Sequence, residues 1–306
     1  MDKPHTVAVI LNWNSAGATL QCVTSLQESN EPRPSIIVVD NGSTDSSWEE
    51  LQRHETGLTL IQSGRNLGFA GGNNIGIRAA LEAKADYVWV LNPDTVVHPL
   101  CLSELLSAAG NHPEAGVLVP KILYREHSNV VWYAGGSYDS VRAQPNHWGI
   151  GAPDVADSYI TCDVTFATGC SLLVSRETFE RVGLLDEKYF LYWEDVEFSR
   201  RVLHTGYRIC LVATARVWHH VGSNSGDPLG RSPVYDYYNM RNRLWYVRGE
   251  HHAWEKVSAY IWTGPLLLRR FARMIVRREE ARKEKLEAIV RGLHDGLLKT
   301  PGEGLK

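Results

Sequence analysis

Apolar positions along the first 120 residues alternate between two rhythms. Short unbroken apolar runs stand at Val7–Leu11, Ser35–Asp40, Leu58–Ile61, Tyr87–Leu91 and Gly116–Val119. Stretches with helical spacing separate them, at Ala18–Leu26, Ser46–Arg53, Asn73–Lys84 and Pro99–Ala109. Continuous apolar runs of this length fit strands buried on both faces. Strands that alternate with helices predict an α/β fold with a mostly parallel sheet covered by helices on both sides.

From about 121 to 165 the pattern weakens into a mixture of Gly, Pro, Asn and aromatic residues, read as irregular strands or a loop. Regular spacing returns as a strand at Phe166–Ser175, helices at Arg176–Val182 and Glu194–His204, and strands at Tyr207–Val212 and Ala215–Trp218. Gly206 suits the C-terminal cap of the second helix. The last 40 residues predict one long helix, with Leu268, Phe271, Ile275, Leu286, Ile289, Leu293 and Leu297 at helical intervals.

Composition narrows the classes. A length of 306 residues allows one large domain with an appendage. Five scattered cysteines without CxxC spacing argue against a disulfide framework or a zinc site and suit a reducing compartment. The net charge of −3 gives no electrostatic reason to expect nucleic acid. Thr6–Leu11 lacks the basic flank and length of a signal segment, and Ala259–Leu268, broken by Gly264 and Pro265, is too short to span a bilayer. These features predict a cytoplasmic protein. Charge is uneven, however: residues 266–306 hold 11 Lys/Arg against 6 Asp/Glu. The basic tail reads either as a helix packed on the domain or on a second subunit of a homodimer, or as an amphipathic anchor on the inner face of an anionic membrane.

Three strands end in polar clusters: Asn12-Trp13-Asn14, Asp40-Asn41-Gly42-Ser43 and Asn92-Pro93-Asp94. Ligands of open α/β sheets lie beyond the carboxyl ends of the strands, so these clusters locate a site. Asp40 either turns and caps the chain or accepts a hydrogen bond from the imide N–H of uracil or thymine. Asp94 suits a divalent cation that bridges a diphosphate, since Mg²⁺ and Mn²⁺ use one or two carboxylates plus phosphate oxygens. Glu194, Asp195 and Glu197 open a helix beside Tyr189, Phe190, Tyr192 and Trp193. They either complement the helix dipole or supply a base for an attacking hydroxyl in an aromatic groove. Neighbouring His219 and His220 point to opposite sides of a strand, so at most one faces Asp94. The run Gly68-Phe69-Ala70-Gly71-Gly72-Asn73-Asn74 departs from GxGxxG spacing and reads as a backbone loop near a diphosphate or ribose.

In this order the motifs resemble family 2 glycosyltransferases of the GT-A fold, particularly the rhamnosyltransferase-like branch. The matching pieces run from Val9-Ile10-Leu11-Asn12-Trp13-Asn14 through Val38–Asp45, Asn66–Asn74, Leu91–Asp94, Ala167–Cys170, Gly183–Glu187, Trp193–Glu197 and Trp218–His220 to Tyr238-Asn239-Met240-Arg241-Asn242. The resemblance implies a catalytic region at 1–225, with a nucleotide-sugar half to about 120, and a helical region at 226–306. It implies donor contacts from Asn12, Asp40, Asn41, Gly68, Asn73 and Asn92, and a divalent cation, Mg²⁺ or Mn²⁺, on Asp94 and His219. It implies Asp195 as general base, with Trp193 and Glu194 on the acceptor side. Asn92 stands where the family's DxD motif has its first aspartate. The implied reaction is inverting transfer from a dTDP- or UDP-sugar, dTDP-rhamnose first, to a glycan or lipid-linked acceptor in bacterial cell-surface polysaccharide synthesis. A nucleotidyltransferase would want a basic loop after the first strand, and Asn12–Gly17 has neither Lys nor Arg. A decayed nucleotide-sugar binding protein is the alternative outside enzymes.

Overall fold

The computed structural model describes residues 3–54, 57–155, 158–221, 232–250 and 252–301. The first half follows the predicted alternation: β1 (Thr6–Asn12), α1 (Ala16–Gln27), β2 (Ser35–Asp40), α2 (Ser47–Arg53), β3 (Leu58–Gln62), α3 (Gly68–Glu82) and β4 (Tyr87–Leu91). A short β5 (Thr95–Val97), α4 (Cys101–Asn111) and β6 (Ala115–Tyr124) come next. The irregular stretch resolves into β7 (Val131–Tyr133), the hairpin β8 (Gly136–Asp139) and β9 (Gln144–His147), and β10 (Cys162–Val164). Then follow β11 (Ser171–Ser175), α5 (Arg176–Val182), a single 3₁₀ turn at Glu187–Tyr189, α6 (Glu194–His204) and β12 (Arg208–His219). The chain closes with α7 (Pro233–Glu250), α8 (Ala253–Val276) and α9 (Arg282–Leu298).

The main sheet runs β10-β12-β6-β11-β4-β1-β2-β3, with β5 on β12 and β7 on β6. β1 pairs parallel with β2 and β4, β2 with β3, and β6 with β12. β11 lies antiparallel between β4 and β6. Every residue of β1 is buried, as the unbroken apolar run requires.

α3 begins at Gly68, five residues before the predicted start, so the glycine-rich run is helix rather than loop. Packing explains it. A Cβ on Gly72 would stand 2.4 Å from Leu11 Cδ1, and one on Gly76 would stand 2.4 Å from Val9 Cγ1. The glycines weaken the helix by about 1 kcal/mol each but let it lie directly on β1. The two predicted strands at 207–218 merge into β12, with a register shift between Val212 and Arg216. The strand predicted at 166–175 shortens to β11, because the chain before Ser171 crosses toward α6 instead.

The long C-terminal helix is two helices. It breaks after Val276, where Arg278 and Ala281 take left-handed φ of 50° and 49°. The break brings Glu279 onto Arg270, which also grips Asp236 of α7 through two contacts of 2.8 Å. α9 packs on α7 through Gly292 and Gly296, whose added Cβ atoms would meet Tyr237 O at 2.6 Å and Leu244 Cβ at 2.9 Å. Pro265 sits within α8 without ending it. Along α8, Trp254, Val257, Ile261, Leu268 and Ile275 form an outward apolar stripe, each 60 to 70% exposed. Among the described residues no helix is long and apolar enough to cross a membrane.

Candidate active site

The ends of β1 and β2 stand in register, Asn12 beside Asp40. Asn12 Nδ2 donates to Asp40 Oδ1 at 2.8 Å and to Ser43 Oγ at 3.1 Å, while its Oδ1 accepts from Thr19 Oγ1 at 2.8 Å. Asp40 also accepts from the Ser43 hydroxyl at 2.5 Å and the Ser43 amide at 3.2 Å. Asn41 Nδ2 donates to Asn66 Oδ1 and Gly68 O, both at 3.1 Å, and its Oδ1 accepts from Leu67 N at 3.0 Å. Buried polar groups take such partners because leaving them unpaired is costly. Asn12 and Asp40 expose no surface and Asn41 2%. They shape the strand ends, and Asp40 plays the turn role that the sequence left open. Asn73 is likewise buried inside α3, donating to Phe69 O at 2.9 Å.

β12 antiparallel to β5 places His219 opposite Thr95 and therefore beside Asp94. His219 Nε2 stands 3.1 Å from Asp94 Oδ1. The His220 amide donates to Asp94 O at 3.0 Å, but its ring turns to Glu126, at 2.5 Å. Strand alternation lets one of the two face Asp94, and the observed contact identifies it as His219. The Gly222–Gly226 run that follows lies outside the described residues. Burial works against a charged His219, yet Cys170 and Asp94 hold its pKa well above the ordinary value. One carboxylate and one imidazole suit Mg²⁺ or Mn²⁺ only if diphosphate or water oxygens complete the shell. That agrees with the lack, among the described residues, of a cluster of three or more His, Cys, Asp and Glu able to hold a metal by itself.

The path from Asp94 to Asp195 is short. Asn92 N donates to Cys170 O at 2.9 Å, and the preceding Gly169 N donates to Asp195 Oδ2 at 3.0 Å. Asp195 Oδ1 accepts from Val196 N at 2.8 Å. Burial pushes the Asp195 carboxyl up to about 6, against the hydrogen bonds from Gly169 and Val196. Glu194 is more enclosed: burial, then the neighbouring Asp195 charge, raises its pKa well above the ordinary range. Its Oε2 finds no hydrogen-bond partner among the described residues. The Tyr192 phenol is raised by burial first, then by the charges of Tyr235, Glu194 and Asp94. Asp94 and Glu194 therefore act on one ring.

Two sequence expectations change. Trp193 is 4% exposed, packs against Tyr138 and Tyr246, and donates from Nε1 to Asn239 Oδ1 at 2.8 Å. An indole so enclosed does not stack on a sugar; it backs the site from the core. Glu197 pairs with Arg201 at 2.5 Å, so the third carboxylate belongs to the helix and not to the site.

Sequence reasoning matched Tyr238–Asn242 of α7 to the family but assigned no role to its residues. Its Arg241 and Asn242 are buried against the segment that precedes Glu194. There Phe190, Tyr192 and Trp193 take φ of 65°, 64° and 77°. The signal was present as a charged and an amide residue inside an aromatic-rich helix, but its partners lie about fifty positions away.

A parallel nucleotide-side sheet, a reversed strand between β4 and β6, and carboxylates gathered at the strand ends define a glycosyltransferase of the GT-A type. The chain belongs to glycosyl transferase family 2, whose family model matches residues 7–183. It is 29% identical over 296 residues to N-acetylglucosaminyl-diphospho-decaprenol L-rhamnosyltransferase of Mycobacterium tuberculosis, covering 89% of this chain and 93% of the relative. It is 29% identical over 250 residues to the dTDP-rhamnosyl transferase RfbF of Shigella flexneri, covering 80% of each. Among solved structures, the mannosyltransferase PcManGT from Pyrobaculum calidifontis, in complex with GDP-Man and Mn²⁺, aligns with a TM-score of 0.60 at 14% identity, over 97% of this chain and 88% of that one. TarS of S. aureus in complex with UDP-GlcNAc aligns at 0.58 and 15% identity, over 95% and 80%. At such identities the solved structures speak for the fold alone.

Proposed function

We propose that this glycosyltransferase moves L-rhamnose from dTDP-rhamnose, with inversion, to a hydroxyl of a lipid-linked glycan precursor. The observation that carries the reaction is the placement of Asp195, held by the Gly169 and Val196 amides with its carboxyl near 6. A base poised there is ionised at neutral pH yet basic enough to take a proton as the attack proceeds. Asp195 accepts the proton of the acceptor hydroxyl, whose oxygen forms the new bond to the sugar C1. The bond from C1 to the diphosphate oxygen breaks on the opposite face, and its electron pair leaves with the nucleoside diphosphate. Two named relatives that use or transfer rhamnose support the choice of sugar; a UDP-sugar is the second reading.

Asp94 and His219 would hold a divalent cation together with the diphosphate, and when bound the cation stabilises the charge on that leaving group. Asn92 reaches the same edge through its backbone bond to Cys170. Asp40 would meet the base if the Ser43 hydroxyl gave way. Gly68 borders the donor side at the first turn of α3.

The α8 stripe, with exposed Arg269, Arg277 and Arg278 alongside it, suits peripheral contact with an anionic membrane where a lipid-linked acceptor resides. Sedimentation with anionic vesicles that is lost at high salt and in Ile261→Glu supports this reading; vesicle binding unaffected by both overturns it. The enzymatic reading is tested by thermal shift with dTDP-rhamnose and UDP-sugars, with and without Mn²⁺, followed by transfer assays. Stabilisation by UDP-sugars alone would replace the proposed donor.

A further inference from the structure

We infer that Asn242 is a positioning residue for sugar transfer: its carboxamide holds the Tyr189–Trp193 backbone in the left-handed course that delivers Asp195 to the site. The inference rests on Asp195 being the base.

The local sequence does not favour this course. Between the 3₁₀ turn and α6 lie Phe190, Leu191, Tyr192 and Trp193, and three of the four have positive φ without being glycine. Bulky L-residues avoid that region. Phe190, at φ 65° and ψ −57°, is the centre of a γ-turn closed by Leu191 N donating to Tyr189 O at 2.8 Å. This is the rare and strained form of that turn. Such conformations persist only where surrounding structure over-determines them, and they cluster at functional sites.

Asn242 supplies that determination. Its Nδ2 donates to Tyr189 O at 2.9 Å and to Leu191 O and Tyr192 O, both at 2.8 Å. One amide nitrogen thus gathers three carbonyls of the turn. The orientation of the amide is fixed from behind, where its Oδ1 accepts from Arg241 Nε at 2.9 Å. Arg241 Nη2 adds a fourth donor contact, to Tyr189 O at 3.0 Å, and its guanidinium lies over the Trp245 ring at 4.1 Å. Both residues are buried.

The opposite side of the turn is held by the donor side. Phe69 N donates to Phe190 O at 2.6 Å, and Gly68, at φ +74°, leaves that oxygen room that a Cβ would fill. Phe190 stacks on Tyr238 of α7, with ring centroids 5.4 Å apart. The segment is therefore clamped between the first turn of α3 and α7, and it leads directly into Glu194 and Asp195. Loss of the amide donors releases the turn and moves the base, while the Asp94–His219 side keeps its own supports.

The test uses the full chain and dTDP-rhamnose. Asn242→Asp keeps the shape but sets a carboxylate against three carbonyls, and Asn242→Ala removes the donors. Each is expected to lower kcat about 100-fold, with the donor KM and the donor-induced thermal shift changed by no more than about threefold. Phe190→Gly in the Asn242→Ala background relieves the left-handed strain and is expected to restore kcat about tenfold. Should Asn242→Asp fail to fold, Asn242→Ser, with a single donor, carries the same test. The role is overturned if kcat per folded molecule stays within about threefold of the parent, or if kcat and donor binding fall together. Asp195→Asn is run in parallel. An inactive Asp195→Asn beside unimpaired Asn242 variants removes the positioning role alone; full turnover by Asp195→Asn removes the base assignment and the positioning role with it.

Discussion

The carboxyl ends of β1 and β2 and the segment before α6 both carry polar side chains to the site, and they are built in opposite ways. At the strand ends, Asn12, Asp40 and Asn41 are buried with their hydrogen bonds made among themselves and their neighbours. Before α6, three residues are left-handed, Glu194 Oε2 lacks a partner among the described residues, and Asp195 is shifted toward neutrality. The first region is satisfied and shapes the site. The second stores strain and unmet polarity and presents the proposed base.

The sharpest way to break this contrast is Asp195→Asn. Turnover is expected to fall by about 10²–10⁴-fold while dTDP-rhamnose still stabilises the protein in a melting assay; a comparable loss after Asn12→Ala would erase the distinction. Asp94→Ala is next, and is expected to abolish the Mn²⁺-dependent part of donor binding in titration calorimetry. Unchanged donor affinity with Mn²⁺ would dissociate Asp94 from the metal. The pH profile gives a smaller and continuous effect. Because the proposed role of Asp195 needs its ionised form and burial has raised its pKa, kcat/KM should climb about tenfold per unit up to about 6 and flatten above it. A limb centred near the ordinary carboxyl value would mean that the reacting carboxylate is exposed. Asn41→Ala tests the satisfied region: a stability loss of about 1–3 kcal/mol by denaturant unfolding with turnover per folded molecule nearly unchanged. The Arg78–Glu187 pair, half exposed at 3.1 Å, links α3 to the 3₁₀ turn. Its loss in Arg78→Ala should cost no more than about 1 kcal/mol.

The difference between the regions also decides what the sequence could disclose. β1, β2 and β4 are written as unbroken apolar runs, and the polar residues at their ends name the site's edge. Asp94, His219 and Asp195 were legible for the same reason: each follows or opens an element whose rhythm is plain. Strand alternation allowed only one of His219 and His220 to face Asp94; which one follows from the pairing of β12 with β5. The rest depends on distant partners. The start of α3 is set by Gly72 and Gly76 against β1, an approach that helix propensity argues against. The break after α8 is set by Arg270 reaching Asp236 and Glu279. Trp193 resembles an acceptor platform in sequence and becomes core because Tyr138 and Tyr246 close over it. Asn242 stands in a run that matches the family, but what it does lies in three carbonyls of another element.

That last contact sets a schedule for the newborn chain. Domains take shape from the N-terminal side as synthesis proceeds, and the β1–β3 layer closes on α3 and β4, the elements made directly after it. The turn before α6 must wait for α7, whose Asn242 is translated after all of the sheet's strands. The strand ends at Asn12 and Asp40 can thus form well before the turn that carries Asp195 is held.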